Sequence, residues 1–457
     1  MVGSMRVVFR AGSRLMATSR TQYDGLVQAE QQRVMLEKPG GGVLYMREVD
    51  QQIGLMDRLV EAIDDPRRQT HIDHTLAELM RQRTYQISCG YEDADDCDHL
   101  RADPALKTAV GRDPKDDPNL GSQPTMTRLE HAVTHRDLLR MGYAFIDHFI
   151  ASYAPRPELI VLDMDPTADH AHGHQQLTFF NAYEDEYCFM PFHVYEGLSD
   201  KYITSVLRAG KTPTAPEILS VLKRIVHRIR HAWPEVRIVF RTDGHHTKSQ
   251  VMAWMDAHDV EFVTALSRNQ KLKKLFALAI QDAETQYQRV GRPVRTYAAT
   301  YYAARPWEKA QRVICRVYIT EKGTDVRYIV TSFQEAGAKH LYEVVYCGRG
   351  KMELMIKDHK VALKSDRTSC HRKEANQFRL FIHSAAYVLM HALRSEYIIA
   401  LRRGGPPRPQ NTGGGVELCS KSACVGSPAP IRVHPWFSSP LRSLESTADY
   451  GFMNRSG

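Results

Sequence analysis

Residues 158–197 read ELIVLDMDPTADHAHGHQQLTFFNAYEDEYCFMPFHVYEG, and this stretch decides the fold class. ELIVLDMD is a short apolar run with a β-branched centre, as expected of a buried strand. QLTFFNAY and EYCFMPFHVYEG follow at hairpin distance, so three consecutive strands are expected to form a meander. Further on, APEILSVLKRIVHRIRHAW places Ile218, Leu222, Ile225 and Ile229 on one helical face, with Lys223, Arg224, Arg228 and Arg230 around the rest. VRIVFRTD then reads as a strand, KSQVMAWMDAHD as a helix and VEFVTAL as a fifth strand.

Three strands, a helix, a strand, a helix and a strand is the element order of an RNase H-like α/β core. Residues Tyr287 to Phe333 alternate apolar and polar side chains (ICRVYIT, VRYIVTSF) and read as a β-rich insertion. Helices resume near Gly350 and run through NQFRLFIHSAAYVLMHALRSEYIIALRR. Upstream, from about Gly42 to Tyr143, the pattern is helical: VDQQIGLMDRLVEAI lines up Ile53, Leu55, Met56, Leu59, Val60 and Ile63, and HIDHTLAELMRQRTYQI and MTRLEHAV continue the theme. The expected organisation is a loose basic arm over 1–41 and a helical module over 42–150 that contacts DNA ends. An α/β core follows over 151–285, with an insertion over 286–340 and the rest of the core over 341–403. A Gly/Pro/Ser-rich tail, disordered or degenerate, occupies 404–457. The acid-free, Arg- and Ser-bearing start imitates a transit peptide, but a loose arm is the plainer reading.

A length of 457 residues allows two or three domains, and no stretch approaches the roughly 20 apolar residues that cross a bilayer. An integral membrane protein is therefore not expected. Lys and Arg exceed Asp and Glu by 61 to 53, a modest excess, so any basic partner surface has to be local. The eight cysteines include no Cys-x-x-Cys pair and are scattered, which points to reduced intracellular thiols.

Four acids at three places stand out. On a strand, Asp163 and Asp165 of VLDMDPT share a face, and two adjacent acids at the end of an apolar strand call for a cation between or beside them. Asp243 ends VRIVFRTD before a Gly-bearing turn. Either acid alone is equally compatible with strand-end turn chemistry. Glu353 belongs to VVYCGRGKMELMIKDHK, where Tyr346, Arg349, Glu353 and Lys360 sit at offsets 0, 3, 7 and 14. At ~100° per residue these four fall within about 60° of one another. Such a stripe suits an ion held by Glu with phosphate oxygens gripped by Arg and Lys, or else a solvated charged face. Lys364, Arg367, His371, Arg372, Lys373 and Arg379 form a basic cluster just beyond, either a phosphate track or a solvated face. The acidic run Glu92–Asp98 reads as a solvated loop. His170, His172 and His174 read as a turn beside the site in preference to a zinc site.

Together these residues resemble the DDE transposases of bacterial insertion sequences. The resemblance is carried by Asp165 in Asp-Pro-Thr, Asp243 after an apolar strand, and Tyr346-x2-Arg349-x3-Glu353-x6-Lys360, the last set matching the Tyr-Arg-Glu-Lys signature of the cut-and-paste branch without a gap. More narrowly, the 161–197 stretch, YCGRGKMELMIK, ANQFRLFIHSAAYVLMHALR, GGGVLYMREVD and LAELMRQRTYQISCGYEDADDCDHL resemble the insertion sequence thirteen-eighty family. The resemblance spans roughly Gly42 to Arg403. It implies two divalent ions, Mg²⁺ or Mn²⁺, on Asp165, Asp243 and Glu353, with Asp163 ranked behind Asp165 as the catalytic acid. It also implies that Tyr346, Arg349 and Lys360 hold phosphates of double-stranded DNA, at terminal inverted repeats and target; Arg367 of the basic cluster is added as a DNA-contact candidate because it lies close to Glu353 in sequence. A synaptic homodimer and a bacterial, cytoplasmic, nucleoid-associated location follow from the same source. Trp307, in the insertion, is a candidate to stack on a flipped base, or a core or surface Trp. Two departures are visible: Asp243 is followed by Gly-His-His where a Ser and, at His246, an aromatic are expected, and the tail is unlike the family's ending. The alternatives are a catalytically inactive DNA-binding remnant or repressor, and an RNase H-like nuclease without strand transfer.

Overall fold

The computed structural model describes residues 39–402 apart from 172. Most of the basic arm, the tail and the middle histidine of the 170–174 run lie outside the described residues.

The architecture is mixed α/β, built on one eight-stranded sheet. Its strands are β1 (Leu159–Pro166), β5 (Phe192–Glu196), β6 (Tyr202–Val206), β7 (Arg237–Thr242), β8 (Val260–Leu266), β9 (Val294–Tyr302), β10 (Gln311–Thr320) and β11 (Gly323–Thr331). A separate three-stranded sheet holds β2 (Asp169–His170), β3 (Phe179–Asn181) and β4 (Glu186–Phe189) in the order β2-β4-β3. The large sheet runs β6-β5-β1-β7-β8-β11-β10-β9. β7 is parallel to β1 and β8 to β7, while β5, β6, β9, β10 and β11 each pair antiparallel with their neighbours.

The expected meander is therefore only half right. EYCFMPFHVYEG is two strands, because Met190 and Pro191 divide it and proline donates no ladder hydrogen bond. QLTFFNAY supplies only Phe179–Asn181, and that strand lies in the small sheet. The third strand of the large sheet is Tyr202–Val206, which sequence patterning passed over. The 294–331 strands, read as a β-rich insertion, belong to the large sheet. β11 pairs with β8, Thr331 opposite Val263, so they extend the same sheet. Val313, Cys315, Val317 and Ile319 accordingly join Ile160, Leu162, Ile238, Phe240 and Phe262 in one buried apolar cluster.

The helices are α1 (Pro39–Ile53), α2 (Leu55–Glu61), α3 (Leu76–Ser88), α4 (Asp96–Leu100), α5 (Pro104–Val110), α6 (Gln123–Ala132), α7 (His135–Ala151), α8 (Ala215–Ala232), α9 (Ser249–Ala257), α10 (Gln270–Leu275) and α11 (Ala277–Val290). A continuous helical segment over 338–362, α12, and the long α13 (Lys373–Arg402) complete the set. The single helix expected from VDQQIGLMDRLVEAI is split at Gly54, whose φ of 64° ends α1, with its N–H donating to the Asp50 carbonyl. α8 matches expectation: a Thr214–Glu217 capping box starts it, and Ile218, Leu222, Ile225 and Ile229 are buried on the sheet. The N-terminal helices share a second core with α12 and α13, where Met46, Leu55, Met56, Met80 and Tyr85 pack with Met352, Phe378 and Leu389. The 42–150 segment is thus welded to the chain's last long helix.

Candidate active site

Two acids meet where β1 and β7 end. These strands are parallel neighbours, so chain direction alone brings their C-terminal ends together at one edge of the sheet. Asp165 lies at the end of β1, and Asp243 follows β7 directly. Ligand atoms of Asp165, Asp243 and His246 all lie within 4.8 Å of one another. Burial pushes the Asp165 carboxyl up to about 7, and the negative charges of Asp243 and Glu353 add to that against the opposing Arg349 guanidinium. Carboxylates that raise one another in this way form a donor set suited to a hard divalent cation, so the residues present fit the ion the sequence implies.

α12 lies across this edge and brings the remaining signature residues. It is not a uniform helix: Leu341–Tyr346 and Asp358–Ala362 form wide π turns, Cys347–Arg349 a 3-10 turn, and only Gly350–Lys357 is regular α-helix. A stripe projected at a constant angle is therefore not what places these side chains. Arg349 does the joining: its Nη1 donates to Asp165 Oδ2 at 2.8 Å and its Nη2 lies 3.6 Å from Glu353 Oε1. Glu353 itself is 68% exposed. Tyr346 is half-buried with its ring 5.6 Å from that of Tyr342, and burial raises its hydroxyl pKa. Lys360 sits within the other π turn, 3.4 Å from Thr167 Oγ1 and in hydrogen-bond contact with the Ala168 carbonyl.

Asp163 belongs elsewhere. It shares the face of Asp165, as strand alternation requires, but is wholly buried and makes a two-pronged pair with Arg241: Nε to Oδ1 at 2.7 Å, Nη2 to Oδ2 at 2.6 Å. The two residues are register partners across β1 and β7. Arg241 Nη1 also donates to the Val345 carbonyl, inside the first π turn of α12. Two glycines make room for this pair. A Cβ on Gly348 would fall 2.6 Å from Arg241 Nη1, and one on Gly197 would fall 2.4 Å from Asp163 Oδ2. The Asp163 carboxylate thus supports the floor under α12 and is not brought to the acid pair.

The other candidates also have neighbours within the protein. Arg367 faces the acidic loop, 3.4 Å from both Glu92 and Asp93, which is therefore not purely solvated. In the basic cluster Arg379 is buried 3.3 Å from Glu130, Arg372 donates to the His131 carbonyl, and His371 contacts the His174 carbonyl. Trp307, in the β9–β10 loop, is half-buried and packs edge-on against Tyr302, with ring centroids 5.4 Å apart. His170 pairs with Glu186 at 2.7 Å.

His246 is the residue that sequence reading missed in this role. Thr242 donates its hydroxyl hydrogen to the Met164 carbonyl, so the 2.7 Å contact between Thr242 Oγ1 and His246 Nδ1 requires the hydrogen to be on the ring nitrogen. The same Nδ1 lies 3.0 Å from Asp243 Oδ1. A chain of hydrogen bonds therefore runs from the β1 backbone between Asp163 and Asp165, through Thr242 and His246, to the Asp243 carboxylate. The one available signal was the departure itself, a histidine where an aromatic was expected.

A family model for the transposase DDE domain, group 1, matches residues 38–402. No curated protein matches the sequence. Among solved structures the chain is similar to a piggyBac transposase synaptic complex with hairpin DNA, determined by cryo-EM. The identity is 12% and the TM-score 0.41, over 78% of this chain and 75% of that one.

Proposed function

The chain belongs to the transposase DDE domain family, group 1, and from that premise we propose that it binds the terminal inverted repeats of its element, cleaves the ends and joins them to target DNA. The observation that carries the reading is the convergence of Asp165 and Asp243 at adjacent parallel strand ends, with Glu353 tied to Asp165 through Arg349. The strand order of the first five strands, β6-β5-β1-β7-β8 with β1, β7 and β8 parallel, supports an RNase H-like core.

In this reading Asp165, Asp243 and Glu353 would hold two divalent ions, Mg²⁺ or Mn²⁺. When bound, such ions polarise the scissile phosphate and neutralise charge on the departing oxygen in an in-line displacement. The chain's own side chains do the rest. Arg349 offers a planar fork and Lys360 a point charge to phosphate oxygens, and the Tyr346 hydroxyl adds a neutral donor. His246 keeps Asp243 aimed through Nδ1. Double-stranded DNA is the partner, a homodimer the synaptic unit, and the bacterial cytoplasm the setting. Among the described residues no helix is long and apolar enough to cross a membrane.

The direct test is a duplex carrying the element's own ends, incubated with the full chain and Mg²⁺. Cuts at the ends followed by joining to a second duplex support the reading. End binding without cutting gives the repressor or remnant, and cutting without joining gives a nuclease. A Mn²⁺ titration of the DNA-free protein adds a second expectation. The Asp165 carboxyl lies near 7, well above its usual value, so below that pH it must release a proton before it can act as a ligand. Apparent affinity should fall about tenfold per pH unit below 7 and level off above it. At constant pH, His246→Phe should weaken binding by about 10–100-fold, as loss of an outer-shell orienting group does. Equal affinity in the variant would show that His246 does not aim Asp243.

A further inference from the structure

Three successive residues of the chain leaving β1 converge on one ammonium group. Lys360 Nζ donates to the Ala168 carbonyl, lies 3.4 Å from Thr167 Oγ1, and lies 3.6 Å from Asp169 Oδ1. Asp169 is wholly buried, and among the described residues neither of its carboxylate oxygens has a hydrogen-bond partner. A buried carboxyl in that state is costly, and an apolar residue of similar volume would pack there at less expense. Burial pushes the Asp169 group up to about 7, while the Lys360 charge pulls it down. Among the described residues Lys360 is the cation paired with this carboxylate, and it reaches it from the second π turn of α12, on the far side of most of the sheet in sequence.

We propose that Asp169 is a positioning residue: its carboxylate seats the Lys360 ammonium against the end of β1, four residues past Asp165, so that the cation is ordered before DNA arrives. A free lysine loses its rotamer freedom on gripping a phosphate, whereas a seated one has already lost it, so seating raises affinity without any new contact. The inference rests on the reading of Lys360 as a phosphate-holding cation given above. It adds a residue outside the Tyr-Arg-Glu-Lys set and explains why a charge is kept in an otherwise closed position.

The test has two arms, both on the full chain. In the first, lysines are acetylated with a small activated ester and the modified sites are counted by mass spectrometry. Asp169→Asn should raise the rate at Lys360 several-fold and leave that at the half-exposed Lys351 unchanged; an unchanged Lys360 rate overturns the proposal. In the second arm, affinity for a duplex carrying the element's terminal sequence is measured at several salt concentrations, without divalent ions. Lys360→Met should weaken binding and lower the salt slope by about one. Asp169→Asn should weaken it several-fold in the parent chain and not at all in the Lys360→Met background. Additive losses, or tighter binding on Asp169→Asn, overturn the seating role. If Lys360 labelling responds but Lys360→Met leaves DNA affinity untouched, the phosphate role of Lys360 falls while the seat stands.

Discussion

Asp165→Asn and Asp243→Asn are each expected to abolish end cleavage and strand transfer while end binding is retained. Ions held between two carboxylates provide several kcal/mol of charge stabilisation in the displacement, so loss of one ligand should lower the rate roughly 10³-fold or more. Binding should survive because the DNA contacts assigned here come from Tyr346, Arg349 and Lys360, and removing a negative charge eases the approach of a polyanion. Glu353→Gln belongs to the same series. Glu353 is exposed and is tied to Asp165 through Arg349, so its variant should lose activity with the least change in stability. Asp163→Asn is the informative contrast. Asp163 shares the strand face of Asp165 but is closed off by Arg241, and its variant should unfold earlier without losing metal affinity. Single-turnover cleavage, gel-shift binding and thermal melting on the same four proteins separate these outcomes. A folded Asp165→Asn chain that still cuts at the parental rate would remove Asp165 from the chemistry.

The parts of the fold that were legible in the sequence are those where one periodicity dominates. β1, β7, β8 and α8 are each an uninterrupted apolar run or stripe, and all four lie where expected. Reading failed where a single residue overrides a pattern. Pro191 divides one apolar run between two sheets, and Gly54 turns one amphipathic pattern into two helices. Tyr202–Val206, five residues long, has too few turns of the pattern to announce itself. At the site, the residue types were legible but their grouping was not. Tyr346, Arg349, Glu353 and Lys360 do lie on one helical segment, yet two π turns and a 3-10 turn set their directions, and no fixed-angle projection anticipates those. Wide turns of this kind recur at functional sites because they re-aim side chains. The ion pairs of Arg379 and Arg367 were not legible because charge spacing carries no information about Glu130, Glu92 and Asp93, which come from far earlier in the chain. The same blindness hid Asp169.

The largest effect on stability should come from Arg241→Met. Arg241 is a charged residue within an apolar strand, and it is retained there by two partners: the Asp163 carboxylate and the Val345 carbonyl in α12. Removing the guanidinium leaves a wholly buried carboxylate without its counter-ion and a helical carbonyl without its donor. Breaking one side of a buried pair destabilises by about 3–5 kcal/mol, more than either partner's net contribution, because the survivor stays desolvated. Burial already raises the Asp163 carboxyl above the ordinary range, with Arg241 holding it down. Without Arg241 the carboxyl should therefore take up a proton on folding at higher pH, and the variant should recover part of its stability as pH falls. Combining Arg241→Met with Asp163→Leu removes both charges, and the double variant should be more stable than Arg241→Met alone. Denaturant melts of the parent chain, both single variants and the double variant across pH 5–8 decide the matter. Additive losses in that cycle would mean that the two residues do not act as a pair. If the double variant regains stability but not cleavage, the pair's second task is to hold the Val345 turn, and with it Tyr346 and Arg349, at the height of the acid pair.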